Sequence, residues 1–424
     1  MSKILVDEIR SNSASGDAIT LDGSGKCAIN ATTINNLTFP TSDGSADQVM
    51  KTDGSGALSF VTASSGKATN LINNGAMTIA QKGSGPSTNS GIATVDRFGV
   101  SVSGTDESPS QQQADVASGT TPYSLGFRKC FKVTNGNQSS GAGTGDRLQV
   151  YQNMEAQQLA TSGWNYTSPS SYITISFWAK SSVAQTFYFL IGTDDGSAYR
   201  YGAAMTFSSA DTWTKFTYTI PGNSNLTINH DEGRGMQVFW VLWRGTDTTG
   251  TFTLNQWAAY DSANRVPDMT STWYTTNDAT FELTGVLFEV GQTASDYPHE
   301  KYQDTLATCQ RYFFMLAAHH QQTHNACFGR GASLNNSVSF AFNPYYPVTM
   351  RTAPSAYTVA TASPSFLLYE WNSYYHVTGS WNIHATGLHS GQVYASCNNV
   401  GGENKVFRVQ TESNAGEIGF DAEL

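Results

Sequence analysis

The sequence predicts an all-β protein, and three observations carry that expectation. Apolar and polar residues alternate at period two in one segment after another. Gly, Ser, Asn and Asp clusters, the residues that reverse a chain, punctuate those segments. No helical periodicity fills the spaces between them. Composition agrees: charged residues make up 13% of the 424 positions, about half the ~25% of an ordinary soluble chain. Aromatic residues reach 12%, too many for disorder and enough for several cores.

The elements divide into three regions. Residues 1–66 hold short apolar pulses (ILV, AITL, INNLTF, QVM, ALSFV), each the length of a short strand and each followed by turn residues. With so few large side chains this region cannot bury a core alone, so identical chains are expected to wrap around a shared axis. Residues 67–303 contain ITISFWAKS (173–181), TFYFLIGT (186–193), KFTYTIP (215–221), GMQVFWVLWRG (235–245) and TFELTGVLFEVG (280–291), which read as strands of two packed antiparallel sheets. In the first, Ile173, Ile175 and Phe177 share one face, opposite Thr174, Ser176 and Trp178. The stretch EKYQDTLATCQRYFFML (300–316) reads as a polar junction followed by an aromatic strand. It opens a second β domain, 304–424, with strands near 336–343, 365–371, 374–385 and 405–410.

Charge and targeting signals narrow the partners. A net charge of −10 and the lack of a basic stripe exclude a nucleic-acid partner. The opening MSKILVDEIR has no signal-peptide core, and no run approaches the ~18 apolar residues of a membrane span. Membrane insertion is therefore not expected, and a role outside the cell requires an exit other than secretion. Five scattered cysteines with no CxxC spacing predict free, mostly buried thiols and no zinc site.

Several stretches together resemble the tail-fibre proteins of marine, cyanophage-type bacteriophages. NLINNGAMTIAQKGSG (70–85) and IATVDRFGV (92–100) resemble the opening of a jelly-roll domain in such fibres. ISFWAKS, DTWTKFTYTIPG and ATFELTGVLFEVGQTASDYPHEKYQDTLATCQRYFF resemble its body and exit. PTSDGSADQVMKTDGSGALSF resembles a linker repeat, and the terminal DAEL the end of a final strand. The resemblance implies a homotrimeric fibre with a virion-attachment and shaft region (1–66), a carbohydrate-binding-like jelly roll (67–303) and a C-terminal β-sandwich tip (304–424). It implies docking on another tail or baseplate protein through the N-terminal region, and adhesion to host polysaccharide or lipopolysaccharide. It also implies assembly onto virions in the host cytoplasm and release by lysis.

A sugar site needs aromatic faces beside polar groups that fix hydroxyls. The candidates in the jelly roll are Trp164, Tyr166, Tyr199, Arg200, Tyr201 and Trp243, with Arg244, Trp257, Trp273 and Tyr274 extending the set. Tyr199 and Tyr201 share one strand face near Asp194-Asp195. In the tip, Trp371, Tyr374, Tyr375 and Trp381 cluster with His376, to line either a receptor-facing surface or a trimer interface.

Other chemistry reads as absent. The Asp-Gly-Ser triplets at Asp22, Asp43 and Asp53 lack the alternating acids of a calcium loop and read as tight turns. Asp194-Asp195, Asp231-Glu232, Glu282, Glu289 and Glu155 form no catalytic carboxylate spacing. His319, His320 and His324 read as ordinary polar histidines, His376, His384 and His389 form no HxH pair, and GRGAS and GTGD lack the context of a phosphate loop. No cofactor, metal or catalysis is expected. An adhesive tail fibre is the first reading; a polysaccharide depolymerase and a capsid or baseplate accessory fibre are the alternatives.

Overall fold

The computed structural model describes residues 8–9, 19–21, 27–29, 33–34, 36–45, 48–62, 69–317, 327–334, 339–360, 366–370, 373–379, 381–398, 404–411 and 416–424. The chain forms two compact units, Met1–Ala68 and Thr69–Leu424. Among the described residues strands dominate both, and no helix is long and apolar enough to cross a membrane.

In the first unit the pulses AITL, INNLTF, QVM and ALSFV contribute to short antiparallel pairings, and ILV at 4–6 lies outside the described residues. β1 (Glu8–Ile9), β2 (Ile19–Leu21) and β3 (Cys27–Ile29) make one sheet. β4 (Thr33–Ile34) pairs with β5 (Leu37–Thr38), and β6 (Gln48–Thr52) with β7 (Leu58–Thr62). Between β6 and β7 the Asp53 carboxylate accepts the backbone N–H groups of Ser55 at 2.8 Å and Ala57 at 2.9 Å. Gly54 and Gly56 turn the chain at φ 81° and 100°, a region that glycine enters without a Cβ clash. Asp43 likewise accepts the N–H of Gly44 at 2.9 Å. Both triplets are turns; the one at Asp22 lies outside the described residues. Within this unit Val49 and Met50 of β6 remain 49% and 47% exposed.

The second unit holds two large hydrophobic cores and two smaller apolar groups. Around the first, β8 (Gly99–Ser103), β9 (Ser110–Asp115), β10 (Lys129–Thr134), β11 (Arg147–Glu155), β12 (Tyr172–Ser181) and β13 (Thr186–Thr193) appear in turn. β14 (Tyr199–Thr206), β15 (Thr214–Pro221), β16 (Arg234–Arg244), β17 (Trp257–Ala259) and β18 (Thr280–Val290) complete it. They pair as a five-stranded sheet, β15-β12-β18-β10-β9, and a six-stranded sheet, β17-β14-β13-β16-β11-β8. Ile173, Ile175 and Phe177 of β12 point inward, where the Phe177 ring lies 5.8 Å from Phe189 and 5.6 Å from Trp240 of the opposing sheet. Burying each such side chain contributes roughly 1.5–3 kcal/mol.

The segment at 300–316 differs from its sequence reading. Tyr302–Gln310 is a helix, α1, and the aromatic strand β19 (Phe313–Ala317) follows it. Only Thr305 and Cys309 of the helix are buried, so there is no apolar stripe to reveal a helical period. β20 (Cys327–Leu334), β21 (Ser339–Phe342), β22 (Ser355–Ala360), β23 (Phe366–Glu370) and β24 (Ser373–His376) come next. β25 (Asn382–Thr386), β26 (Gly391–Ser396), β27 (Val406–Thr411) and β28 (Gly416–Asp421) end the chain. They build a seven-stranded sheet, β24-β23-β27-β20-β21-β26-β25, and a three-stranded sheet, β19-β28-β22. Phe340, Phe342, Trp381, Phe407 and Phe420 fill the core they share.

Polar groups join the two cores. The Gln81 side chain donates to Asp96 at 2.5 Å and to the Phe313 carbonyl at 2.7 Å. Arg97, at φ 72° and fully buried, pairs with Glu423 and lies 3.5 Å over the Tyr312 ring. Arg311 grips Glu155 through two bonds of 2.8 and 2.9 Å. Burial lifts the Asp96 carboxyl to about 6, against the hydrogen bonds from Gln81 that favour its ionised form. Cys130, Cys309 and Cys397 are free and buried, and Cys327 is free and exposed.

Candidate functional site

The six-stranded sheet sends alternate side chains to opposite faces. On β13, Phe187, Phe189 and Ile191 enter the core, and Leu190 joins a separate apolar group with Phe239 and Val241 of β16 and Val266. Residues following β16 cross this outer face. Asn255 N–H donates to the Gly202 carbonyl at 2.7 Å, and Phe252 packs where a Cβ on Gly202 would stand. Beside this strap the sheet leaves a cavity of about 210 Å³.

Five of the chain's twelve arginines line it: Arg147, Arg200, Arg234, Arg244 and Arg265. Gln149, Gln237, Leu190, Phe239 and Tyr260 complete the wall, with Asp194 as its one carboxylate. Strand register explains the convergence. Arg147 pairs with Arg244 across β11 and β16, and Gly192 stands opposite both Arg200 and Gln237. A Cβ at Gly192 would overlap the Arg200 guanidinium, so glycine there makes room for that side chain to lie across β13.

Asp194 is committed within the wall, 2.8 Å from Arg234 Nε and 3.5 Å from Arg200 Nη2. Arg200 also donates to the Thr193 carbonyl at 2.6 Å. Arg244 donates to Gln149 Oε1 at 2.7 Å, and its buried Nε has no partner; the same holds for Nε of Arg147. Tyr260, 39% exposed, lies under two guanidiniums, those of Arg200 at 5.0 Å and Arg265 at 5.3 Å from the ring centre. Five guanidiniums against one carboxylate leave a surplus of four positive charges, on a chain whose net charge is −10. Burial, then repulsion from Arg265, Arg147 and Arg200, pushes Arg244 down to about 10.

Of the residues singled out from sequence, the cavity gathers Arg200, with Arg244 and Asp194 from the wider set. Tyr199 and Tyr201 do share a strand face, but it is the inner one. Tyr201 is buried against Trp257, 5.7 Å away, and Tyr199 packs on the same core. Trp164 is buried and donates to the Ser171 carbonyl at 3.3 Å; half-buried Tyr166 donates to that of Ile228 at 3.2 Å. Trp243 stacks on Tyr274 at 5.2 Å, 13° from parallel, inside the core. Trp381 is enclosed by Phe340, Phe342 and Phe366. The buried rings of Trp164, Tyr201, Trp243 and Trp381 offer no free face for stacking, whereas Tyr166 and Tyr199 are partly exposed. Tyr375 packs edge-on against Phe407, whereas Tyr374 is 62% exposed. Trp371 and the histidines at 319, 320 and 324 lie outside the described residues. Sequence reasoning missed Arg147, Gln149, Arg234, Gln237, Phe239, Tyr260 and Arg265. Only Arg147 and Gln149 on β11 and Gln237 and Phe239 on β16 carry a local signal, the period-two placement of residues on one strand face; Arg234, Tyr260 and Arg265 carry none.

No cluster of three or more His, Cys, Asp or Glu suited to a metal occurs among the described residues. The other carboxylates considered from sequence are engaged singly. Asp195 accepts from Asn229, Asp231 from the Gly233 N–H and Glu289 from the Ser295 N–H, while Glu282 pairs with Lys180 at 3.0 Å.

No family model and no curated protein sequence matches the chain. Among solved structures it is similar to the enzymatically active domain of tailspike protein 4 from bacteriophage CBA120, at 12% identity and a TM-score of 0.29, over 52% of this chain and 21% of that one. The chain thus spans about a fifth of that protein's length. It is also similar to a CBM4 carbohydrate-binding module, at 15% identity and a TM-score of 0.27, over 52% of this chain and 99% of that one. A third likeness is to the CBM22-1 xylan-binding domain from Paenibacillus barcinonensis, at 8% identity and a TM-score of 0.25, over 55% and 100%. Likenesses this low decide nothing about function, which rests on the cavity's own residues.

Proposed function

We propose that this chain is the subunit of an adhesive virion fibre that holds host-surface polysaccharide without cutting it. One observation carries the reading: a cavity on the outer face of a β-sandwich, walled by guanidinium, amide and phenol groups, whose single carboxylate already serves two arginines. Such a wall supplies hydrogen-bond donors and an aromatic edge to a hydroxylated ligand. Glycoside cleavage takes two carboxylates facing one bond, and the cavity wall has one.

The place of this module in a tail fibre is supported by the ordered tail-fibre-like motifs along the chain. Half-exposed Val49 and Met50 on β6 suit the reading as well, since neighbouring copies around a trimer axis would cover them. Three sites at fixed spacing raise a weak single-site affinity by avidity, which suits a particle that samples a surface before committing to it. The N-terminal region would dock on another tail or baseplate protein.

The experiment is an array of bacterial surface polysaccharides probed with the full chain, followed by an assay for new reducing ends. Binding to at least one polysaccharide with no new ends is expected. Released ends would overturn adhesion without cleavage, and an array with no binding would overturn glycan recognition. Light scattering tests the fibre independently: three chain masses are expected, and a clean monomer contradicts it.

A further inference from the structure

Arg244 carries an unmet charge. Its side chain is more than nine-tenths buried, its Nε is unpartnered, and no carboxylate pairs with it or with Arg147 or Arg265 among the described residues. Arg147 stands directly across the β11–β16 pairing with its own Nε unpartnered. A buried cation with no counter-charge is costly in a low-dielectric site, and adjacent like charges increase that cost. Packing does not explain the choice, because a neutral side chain of similar length would fill the same space. An anion entering the cavity would relieve it, since the guanidinium's planar donors match the oxygens of carboxylate, sulfate and phosphate.

Size and surroundings narrow the anion. At about 210 Å³ the cavity is smaller than the ~300–1,000 Å³ typical of sites for larger ligands, so it admits one sugar unit rather than a chain segment. A long polyanion such as nucleic acid would meet the repulsion of a net −10 protein away from this local patch. Phe239 and Tyr260 add apolar surface that a bare inorganic ion does not use.

Resting on the glycan-binding reading above, we propose that the cavity is the subsite for a negatively charged sugar unit, whose carboxylate, sulfate ester or phosphate sits against Arg147 and Arg244 while its ring meets Phe239 and Tyr260. The surplus of positive charge makes this subsite rank sugars by charge: of two otherwise equal units, the more highly charged binds tighter.

The test measures binding of the full chain to glucose, glucuronate, glucose 6-sulfate and glucose 6-phosphate, with inorganic sulfate alongside. The charged sugars should bind at least about tenfold tighter than glucose, as for a buried charge pair. Glucose 6-phosphate should lead, and the advantage should shrink as salt rises. Arg244→Gln and Arg147→Gln should each abolish that advantage. Without ligand, Arg244→Gln should also melt higher than the native chain, which a merely structural arginine would not do. Glucose binding as tightly as its charged forms would overturn the anion subsite and leave glycan recognition standing. Inorganic sulfate binding while no sugar does would mean an adventitious ion only, and overturn the sugar subsite. No binding to any of them would overturn the subsite together with glycan recognition at this cavity.

Discussion

At the residue scale, a missing side chain sets the site. Gly192 has no Cβ, and the Arg200 guanidinium lies in the space one would fill. Gly192→Ala is therefore expected to displace Arg200 and loosen its ion pair with Asp194, at a stability cost of about 1–3 kcal/mol for overpacking. Affinity for charged sugar should fall about tenfold with the loss of one charged hydrogen-bonding partner. Isothermal calorimetry beside thermal melts checks this, and unchanged affinity would remove Arg200 from the site. Asp53 acts as locally. Its carboxylate is held below its ordinary value, chiefly by the Ser55 and then the Ala57 backbone N–H groups. In Asp53→Ala the amides of Ser55 and Ala57 should exchange with solvent faster, as hydrogen exchange reads directly. Unaltered exchange there would contradict the turn's dependence on that carboxylate.

At the element scale, legibility followed periodicity. The stretches at 173–181, 186–193, 215–221, 235–245 and 280–291 each coincide with a strand to within a residue, because one face of every one is packed with large apolar side chains. α1 was illegible for the converse reason, having only Thr305 and Cys309 to bury. The site was half legible. SAYRYG contains the right strand, β14, but its two tyrosines belong to the inner face, and Arg200 between them lines the cavity on the outer one. Arg147, Arg234 and Arg265 come from separate strands and the strap, so only strand register brings them together. Nothing local in the sequence marks that register. Tyr260→Ala tests the strap's share in the site. It removes a ring beneath two guanidiniums, worth roughly 0.5–1 kcal/mol at an exposed cation–π contact. Sugar affinity should fall severalfold with little change in melting temperature, and an unaltered affinity would exclude the strap from the site.

At the scale of the molecule, polar bonds tie the C-terminal β core to the core of the two packed sheets. Asn153 donates to the Leu424 carbonyl at 2.7 Å, and Arg351, which also holds the Ala422 and Glu423 carbonyls of its own region, donates across to the Glu232 carbonyl at 3.0 Å. Buried Asp96 and partly buried Glu423 lie in the same junction, and desolvation raises both carboxyls. A carboxyl at about 6 when folded and ~3.8 when unfolded binds its proton more tightly in the native state, so its ionisation weakens the fold as pH rises from about 4 through 6. For Asp96 that difference makes the fold roughly 2 kcal/mol less stable at neutral pH than at pH 4. Glu423 adds in the same sense. Glu155, lowered despite its burial by the hydrogen bonds from Arg311, opposes it only once pH falls below the ordinary carboxylate range. Denaturant unfolding should therefore show greater stability at pH 5 than at pH 7.5, with the difference much reduced in Asp96→Asn. A native chain equally stable at both values would contradict the buried junction.

A crystal structure of the chain soaked with its tightest-binding charged saccharide tests adhesion at the arginine-lined face most directly. The expected result is one sugar unit in the cavity, its anion within hydrogen-bond distance of Arg147 and Arg244 and its ring against Tyr260. A sugar held only elsewhere, on the seven-stranded sheet or around Tyr374, with the cavity empty, would contradict it.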